Sequence, residues 1–466
     1  MKYHWKNGIG SPRPVAGPRL GIPHGFVLAC LLLGACQPVE PAEVTLETSS
    51  EPATPQVADP VSQVSPGASR GPSESAGEDW PNFLGPRFDG TSTETGLLES
   101  WAQEGPPVLW SRPLGASYSA PVTGKERLIL LHRLGNEEIV EAVDAVTGTA
   151  IWKTAYATTY VDQFGYNGGP RSSPTIEGNR VYTFGAEGKL TCLDFETGEI
   201  LWQRWINRDF KVPQNFFGVG AAPVIAGDLV LLNAGGPGGA GIIAVDKGTG
   251  QTVWKTGSDG ASYSTPVIRQ LRGEVLAIFF TREGLLVVAA GSGEERYRYP
   301  FRSRSQASVN AASPVVVDEY VFLSASYRTG AVLLKMNPGG LEPVWKDPRA
   351  MGNHWATSIY HEGFVYGMDG RHEAGSRFRC VEFMTGKVRW TAEQGLGRAA
   401  FILAEGKLIA LGERGILALI EANPDRYHEI ARAQVLQYPC WTPPVLSHGL
   451  LYVRNETRLV CLDLRK

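Results

Sequence analysis

Paired cysteines, a surplus of either charge and long apolar runs are all missing from this chain of 466 residues, and each absence removes a class of function. Its six cysteines include no adjacent pair and no Cys-x-x-Cys-His, so no haem is attached through that motif. Lysine and arginine number 44 against 47 acids, a formal charge of −3. Nucleic-acid binding wants a basic face, and no nucleic-acid partner is expected. No His-Glu-x-x-His occurs, and no Gly-x-Ser-x-Gly stands in a strand–turn–helix context. The glycine run 234–241 lacks the lysine and following helix of a phosphate loop, and Pro237 interrupts it. It reads as a flexible loop between two strands. The apolar run Phe26 to Ala35 is too short to cross a bilayer, which needs about 20 residues.

What is present divides the chain in three. Lys2, Lys6, Arg13 and Arg19 followed by that apolar run read as a signal peptide over residues 1–35. Its end, Leu33-Gly34-Ala35-Cys36, resembles the bacterial lipobox, which implies cleavage before Cys36 and acylation of it. Val27-Leu28-Ala29-Cys30 is a competing match that leaves almost no apolar core ahead of it. A plain signal with an accidental cysteine is the blander reading. Gln37 in place of the aspartate that retains many lipoproteins at the inner membrane favours the outer membrane. Residues 36–78 hold no aromatic side chain and are rich in Pro, Ser, Glu and Ala. Such a stretch cannot bury enough surface to fold and reads as a tether, roughly 140 Å long at about 3.3 Å per residue.

From residue 79 onward the chain repeats. Arg171 to Trp202 is one complete unit: glycine turns reverse three β-rich runs, giving four antiparallel strands with the short run that opens it. Its core is an acid, Thr-Gly and Trp, seen as Asp144, Thr147-Gly148, Trp152; Asp194, Thr197-Gly198, Trp202; and Asp246, Thr249-Gly250, Trp254. Glu382, Thr385-Gly386, Trp390 repeats it with the longer acid. Decayed copies stand around Tyr297 and Trp345, with a barely legible one at 421–430. The acid accepts backbone N–H groups in the turn, glycine tolerates positive φ, and Trp fills the seam between units. These motif residues, Trp110, Trp152, Trp202, Trp254, Trp345 and Trp390, are architectural. The unit openings recur at intervals of roughly 42 to 53 residues, so eight units fill the chain. The last ends one strand short at Lys466, and the missing strand is supplied by Val108-Leu109-Trp110. The expected fold is an all-β, eight-bladed propeller of four-stranded antiparallel blades, closed by an N-terminal strand. Cys192, Cys380 and Cys461 hold one repeat position in non-adjacent blades, too far apart to bond, and read as buried hydrophobes. A Cys440–Cys461 bridge within one unit stays open.

The repeat resembles the pyrroloquinoline-quinone (PQQ) repeat from Trp80 onward. Two classes share it: quinoprotein alcohol dehydrogenases, with PQQ and calcium on the axis, and the lipoprotein subunit of the outer-membrane β-barrel assembly machinery. The first class implies a catalytic aspartate and an adjacent-cysteine disulfide over the quinone, and this chain has no adjacent cysteines. The strand openings facing the axis carry Tyr118, Asn167, Arg171, Asn215, Tyr263, Asn310, His354, Trp355, Arg398 and Trp441, with few acids. This set suits an anion or a planar carboxylate better than a hard cation; alternatively the side chains satisfy one another. No catalytic residue and no metal ligand is assigned; PQQ with Ca²⁺ is not supported by these residues. The reading favours a lipid-anchored, non-catalytic scaffold facing the periplasm or cell surface, with envelope proteins and the bilayer as partners. A PQQ-dependent dehydrogenase is the alternative, and a carbohydrate- or peptide-binding protein the second.

Overall fold

The computed structural model describes residues 77–466 except 215, 307, 308, 373, 374, 393 and 394. The expected signal, Cys36, the tether up to residue 76 and Asn215 therefore lie outside the described residues. Where the sequence alternates glycine turns with β-branched runs, the chain forms eight four-stranded antiparallel sheets. Seven are consecutive meanders, at residues 122–157, 175–205, 224–256, 267–300, 315–347, 359–392 and 399–434. The eighth takes three strands from residues 445–463 and its outer strand from Val108–Pro113. That strand pairs as expected, with Val108 opposite Leu462, Trp110 opposite Cys461 and Arg112 opposite Leu459. Among the described residues the one α-helix is the four-residue Ile206–Asp209.

The burial pattern follows from ring geometry. Second and third strands lie between neighbouring blades, so both faces are covered and Ile129, Leu130 and Leu131 are all buried in succession. Outer strands such as Ala150–Ala157 alternate exposed and half-buried residues. The glycine run enters both flanking strands, with Gly236 opposite Ala240, so only its middle is a turn. This corrects the expected flexible loop: the segment is short enough to hydrogen-bond as a hairpin.

The repeat motif turns out to join blades as well as shape turns. Asp144 Oδ1 accepts the amides of Val146 (3.1 Å) and Thr147 (2.7 Å) and the Thr147 hydroxyl (2.8 Å). The tryptophan of the preceding blade then reaches this turn: the Trp110 indole donates to Ala145 O at 3.1 Å. The same bond recurs from Trp152 to Phe195, Trp202 to Lys247, Trp254 to Ala290, Trp345 to Phe383 and Trp390 to Asn423. Tyr297 substitutes with its hydroxyl on Asn337 O. The indole lies flat against the motif glycine, so glycine is required twice over. Gly148 has φ +70°, and a Cβ there would sit 2.7 Å from the Trp110 ring.

Residues 77–97 form a feature that the repeat does not announce. They cross the end of the axis where the inner strands finish. Trp80 O accepts Thr123 N, Pro81 O accepts Ile176 N, and Thr91 bridges Leu403. Phe88 packs against two blade cores, and Glu94 accepts the amides of His448 and Gly449. Ordered contacts reach back to Glu78, whose carboxylate pairs with Arg87 at 2.6 Å. Burial opposes ionisation of Glu78, but the Arg87 guanidinium and the Thr93 amide hold its carboxyl down to about 2. Cys192, Cys380, Cys440 and Cys461 are all buried and free.

Candidate functional site

With one end plugged, the axis becomes a blind cup. It encloses about 210 Å³, with Phe83 and Leu84 of the plug among its lining residues. Of the expected axial residues, Arg171, Tyr263, His354, Trp355, Arg398 and Trp441 line it, together with Tyr118. Asn167 is held beside it by Glu456 (2.7 Å). Asn310 is turned away: it is buried, and its amide donates to Thr281 O (2.8 Å) and Phe301 O (3.3 Å). Its neighbours Val309 and Ala311 take its place on the wall.

The wall is chiefly aromatic. Tyr118 stacks on Trp441 with centroids 5.4 Å apart, Tyr166 meets Trp441 edge-on at 5.6 Å, and Phe217 bridges Tyr166 and Tyr263. Acids do reach the wall, from outside the strand openings. Asp162 pairs with Arg171 at 2.8 Å, and its carboxylate has no exposed surface. Glu413, equally buried, takes Arg398 in a two-pronged pair, the shortest contact being 2.6 Å, and also accepts the Trp441 indole (3.2 Å). Glu456 accepts both the Tyr118 hydroxyl and the Asn167 amide. Burial alone would raise Glu413, yet its bonds to Arg398 hold the carboxyl below the ordinary range. These acids escaped the sequence reading because they stand outside the strand openings. A signal was there: the second hairpin of several units carries a glutamate, at Glu187, Glu283, Glu413 and Glu456.

His354 is neutral at ordinary pH. Burial, and then the nearby Arg398, Arg371 and His372, push its pKa down to about 3. An unfolded chain titrates near 6.5, so between those values the unfolded state binds more protons. Stability from this site is full above about 6.5 and falls as pH drops toward 3. The loss should reach about 1–2 kcal/mol by pH 5. Urea unfolding of His354→Gln should show a smaller stability difference between pH 7 and pH 5 than the unaltered protein.

The cup does not fit PQQ with calcium. A quinone bearing three carboxylates needs free cationic donors, and both guanidiniums on this wall are matched by buried carboxylates. Its volume also falls below the roughly 300–1,000 Å³ of ordinary ligand pockets. No group of three or more His, Cys, Asp or Glu able to hold a metal occurs among the described residues.

Comparison with known proteins bears on the fold and the family. A family model described as outer membrane protein assembly factor BamB matches residues 136–392, from the first blade into the sixth. The chain is 29% identical over 182 residues to the outer membrane protein assembly factor BamB of Burkholderia pseudomallei. That match covers 38% of this chain and 42% of the relative, so it spans less than half the relative's length. Among solved structures, BamB from Moraxella catarrhalis aligns with a TM-score of 0.57 at 16% identity, over 77% of this chain and 99% of that one. Quinohemoprotein alcohol dehydrogenase from Comamonas testosteroni aligns at 0.60 and 12% identity, over 83% and 80%. Likeness at such identities speaks for the fold alone, and the scaffold and the enzyme match it about equally. Since the family model covers more than half of the chain, this protein belongs to the BamB family of PQQ-like repeat propellers.

Proposed function

We propose that this chain is an envelope lipoprotein, anchored through Cys36, whose propeller is a non-catalytic scaffold in outer-membrane protein assembly. The relatives named for that role support the assembly half of the reading. The observation that carries the non-catalytic half is the commitment of Arg171 and Arg398 to Asp162 and Glu413. With those cations neutralised, the described residues lining the cup offer no free guanidinium to a polyanionic cofactor. The partners are then other envelope proteins, met by loops and blade edges of a rigid ring, with the tether setting their distance from the bilayer.

Two measurements test this. Purified protein incubated with PQQ and Ca²⁺ and weighed by native mass spectrometry should retain no stoichiometric quinone; retention followed by alcohol-dependent dye reduction would overturn the scaffold reading. Cys36→Ser should move the protein from the membrane to the soluble fraction with its melting temperature unchanged. Acyl chains supply the membrane affinity, and a single chain gives only marginal binding, so anchoring depends on full modification of that residue. Continued membrane fractionation of Cys36→Ser would dismiss lipidation as the sole anchor.

A further inference from the structure

Phe83 and Leu84 of the plug close one end of the cup, so its mouth lies at the other, where crossover loops lead into the inner strands. Part of the rim there is aromatic. Phe164, Tyr166 and Tyr438 leave 54%, 46% and 53% of their surface in solvent. Ring contacts join them into one patch. Phe164 meets Phe216 and Phe217 with centroids 5.7 and 5.3 Å apart, and Tyr166 meets Phe217 at 5.7 Å. Tyr166 and Tyr438 both meet Trp441, at 5.6 and 6.0 Å. Apolar rings exposed together, rather than singly, mark a place that another molecule covers.

The patch continues into arginines. Arg282 lies over the Phe216 ring at 5.4 Å and donates to Gln306 O at 2.8 Å. Ser303, on the same loop as Gln306, donates its hydroxyl to Tyr327 O at 3.0 Å, and the Tyr327 ring carries the Arg371 guanidinium at 4.4 Å. Arg304 and Arg328 stand beside these loop contacts, next to Ser303 and Tyr327 in the chain. Arg304, Arg328 and Arg371 are exposed, and none has a carboxylate partner among the described residues. Nearby acids are already committed: Asp259 to Arg298 (2.6 Å), Glu283 to Arg302 (3.6 Å) and Glu413 to Arg398 (2.6 Å). The surplus is felt in the wall, where Arg398, Arg371 and His372 add to burial in depressing the His354 pKa. This rim is therefore cationic on a chain whose formal charge is −3.

Aromatic rings and arginine are enriched where proteins meet, and unpaired arginines select a partner that brings carboxylates. We propose that the rim docks an acidic segment of another protein, with its apolar side chains on the Phe164–Tyr438 patch and its carboxylates on Arg304, Arg328 and Arg371. The inference rests on the scaffold reading for the kind of partner, and adds where that partner sits and what charge it carries.

Calorimetric titration of the full mature protein with a short peptide alternating glutamate with phenylalanine or leucine tests the rim. That peptide should bind, and more weakly as salt is raised, because exposed charges are screened. The same peptide with lysine for glutamate should give no heat. Tyr166→Ala should weaken binding about tenfold, the loss of one aromatic face. Arg304→Gln combined with Arg371→Gln should weaken it several-fold, since each exposed ion pair contributes little. Both variants should melt with the unaltered protein; Phe164→Ser, at a more exposed ring, replaces Tyr166→Ala if that one melts lower. No heat from the glutamate peptide at millimolar concentration overturns the proposal, as does indifference to the aromatic and the arginine variants alike. Equal affinity for the lysine peptide overturns the acidic partner. The titration contains no PQQ, so a negative result removes this docking face and leaves the scaffold reading to stand or fall on quinone retention.

Discussion

Trp110→Ala is expected to lower the stability of the whole ring by about 3 kcal/mol, the lower end for replacing a packed Trp, because this indole is half-buried. Several contacts converge on the ring-closing strand. The indole packs against the largest core cluster, which joins the plug with blades seven, eight and one. It donates to Ala145 O in the first blade and lies 6.0 Å from the Tyr452 ring. Two residues on, Arg112 pairs with buried Glu141 at 2.6 Å, which also meets His132. Losing this strand would leave the strand Arg458–Asp463 as an open edge and turn a closed ring into an open array. Urea denaturation measures the loss. Amide exchange should quicken first in Arg458–Asp463, which pairs with Trp110 and its neighbours. A variant that unfolds at the same urea concentration as the unaltered protein would remove the clasp.

Glu413→Leu should cost a similar amount, about 3–5 kcal/mol, for an electrostatic reason. The carboxylate is fully buried and bonds the Arg398 side chain, the Arg398 amide (2.7 Å) and the Trp441 indole. Without it, a guanidinium only 17% exposed would face an aromatic wall unpaired. The double variant Glu413→Leu with Arg398→Met should recover much of the loss, because a buried pair replaced by apolar groups is often near neutral. A double variant no more stable than Glu413→Leu would show that the pair is not what holds this wall. Glu413 also makes the wall sensitive to acid. Its folded-state carboxyl lies below the ordinary range, so its contribution is present above about 4.5 and fades as pH falls through the folded value.

The count of blades, their internal strand order and the circular closure are legible in the chain alone. Each of these rests on contacts local in the chain or on a repeat that copies them. Asp144, Thr147 and Gly148 build their turn from their own backbone, so the motif is legible wherever it stands. The missing eighth strand was countable for the same reason, and Trp110 took the place the count assigned to it. Most axial residues were legible too, since every inner strand opens toward the axis; Arg171, Tyr263, His354, Trp355, Arg398 and Trp441 do meet there. What those residues do there depends on neighbours that the assembled ring brings to them. Asp162, Glu413 and Glu456 reach the axis from loops and hairpins, and a charge is neutralised by whatever lies within a few ångströms of it, wherever that group falls in the chain. Asn310 faces the wrong way for the same reason: its amide found the carbonyls of Thr281 and Phe301, 29 and 9 residues distant. The plug at residues 77–97 belongs to no repeat. It can be seen only once the ring exists, because the axis end that it covers is made by all the blades together.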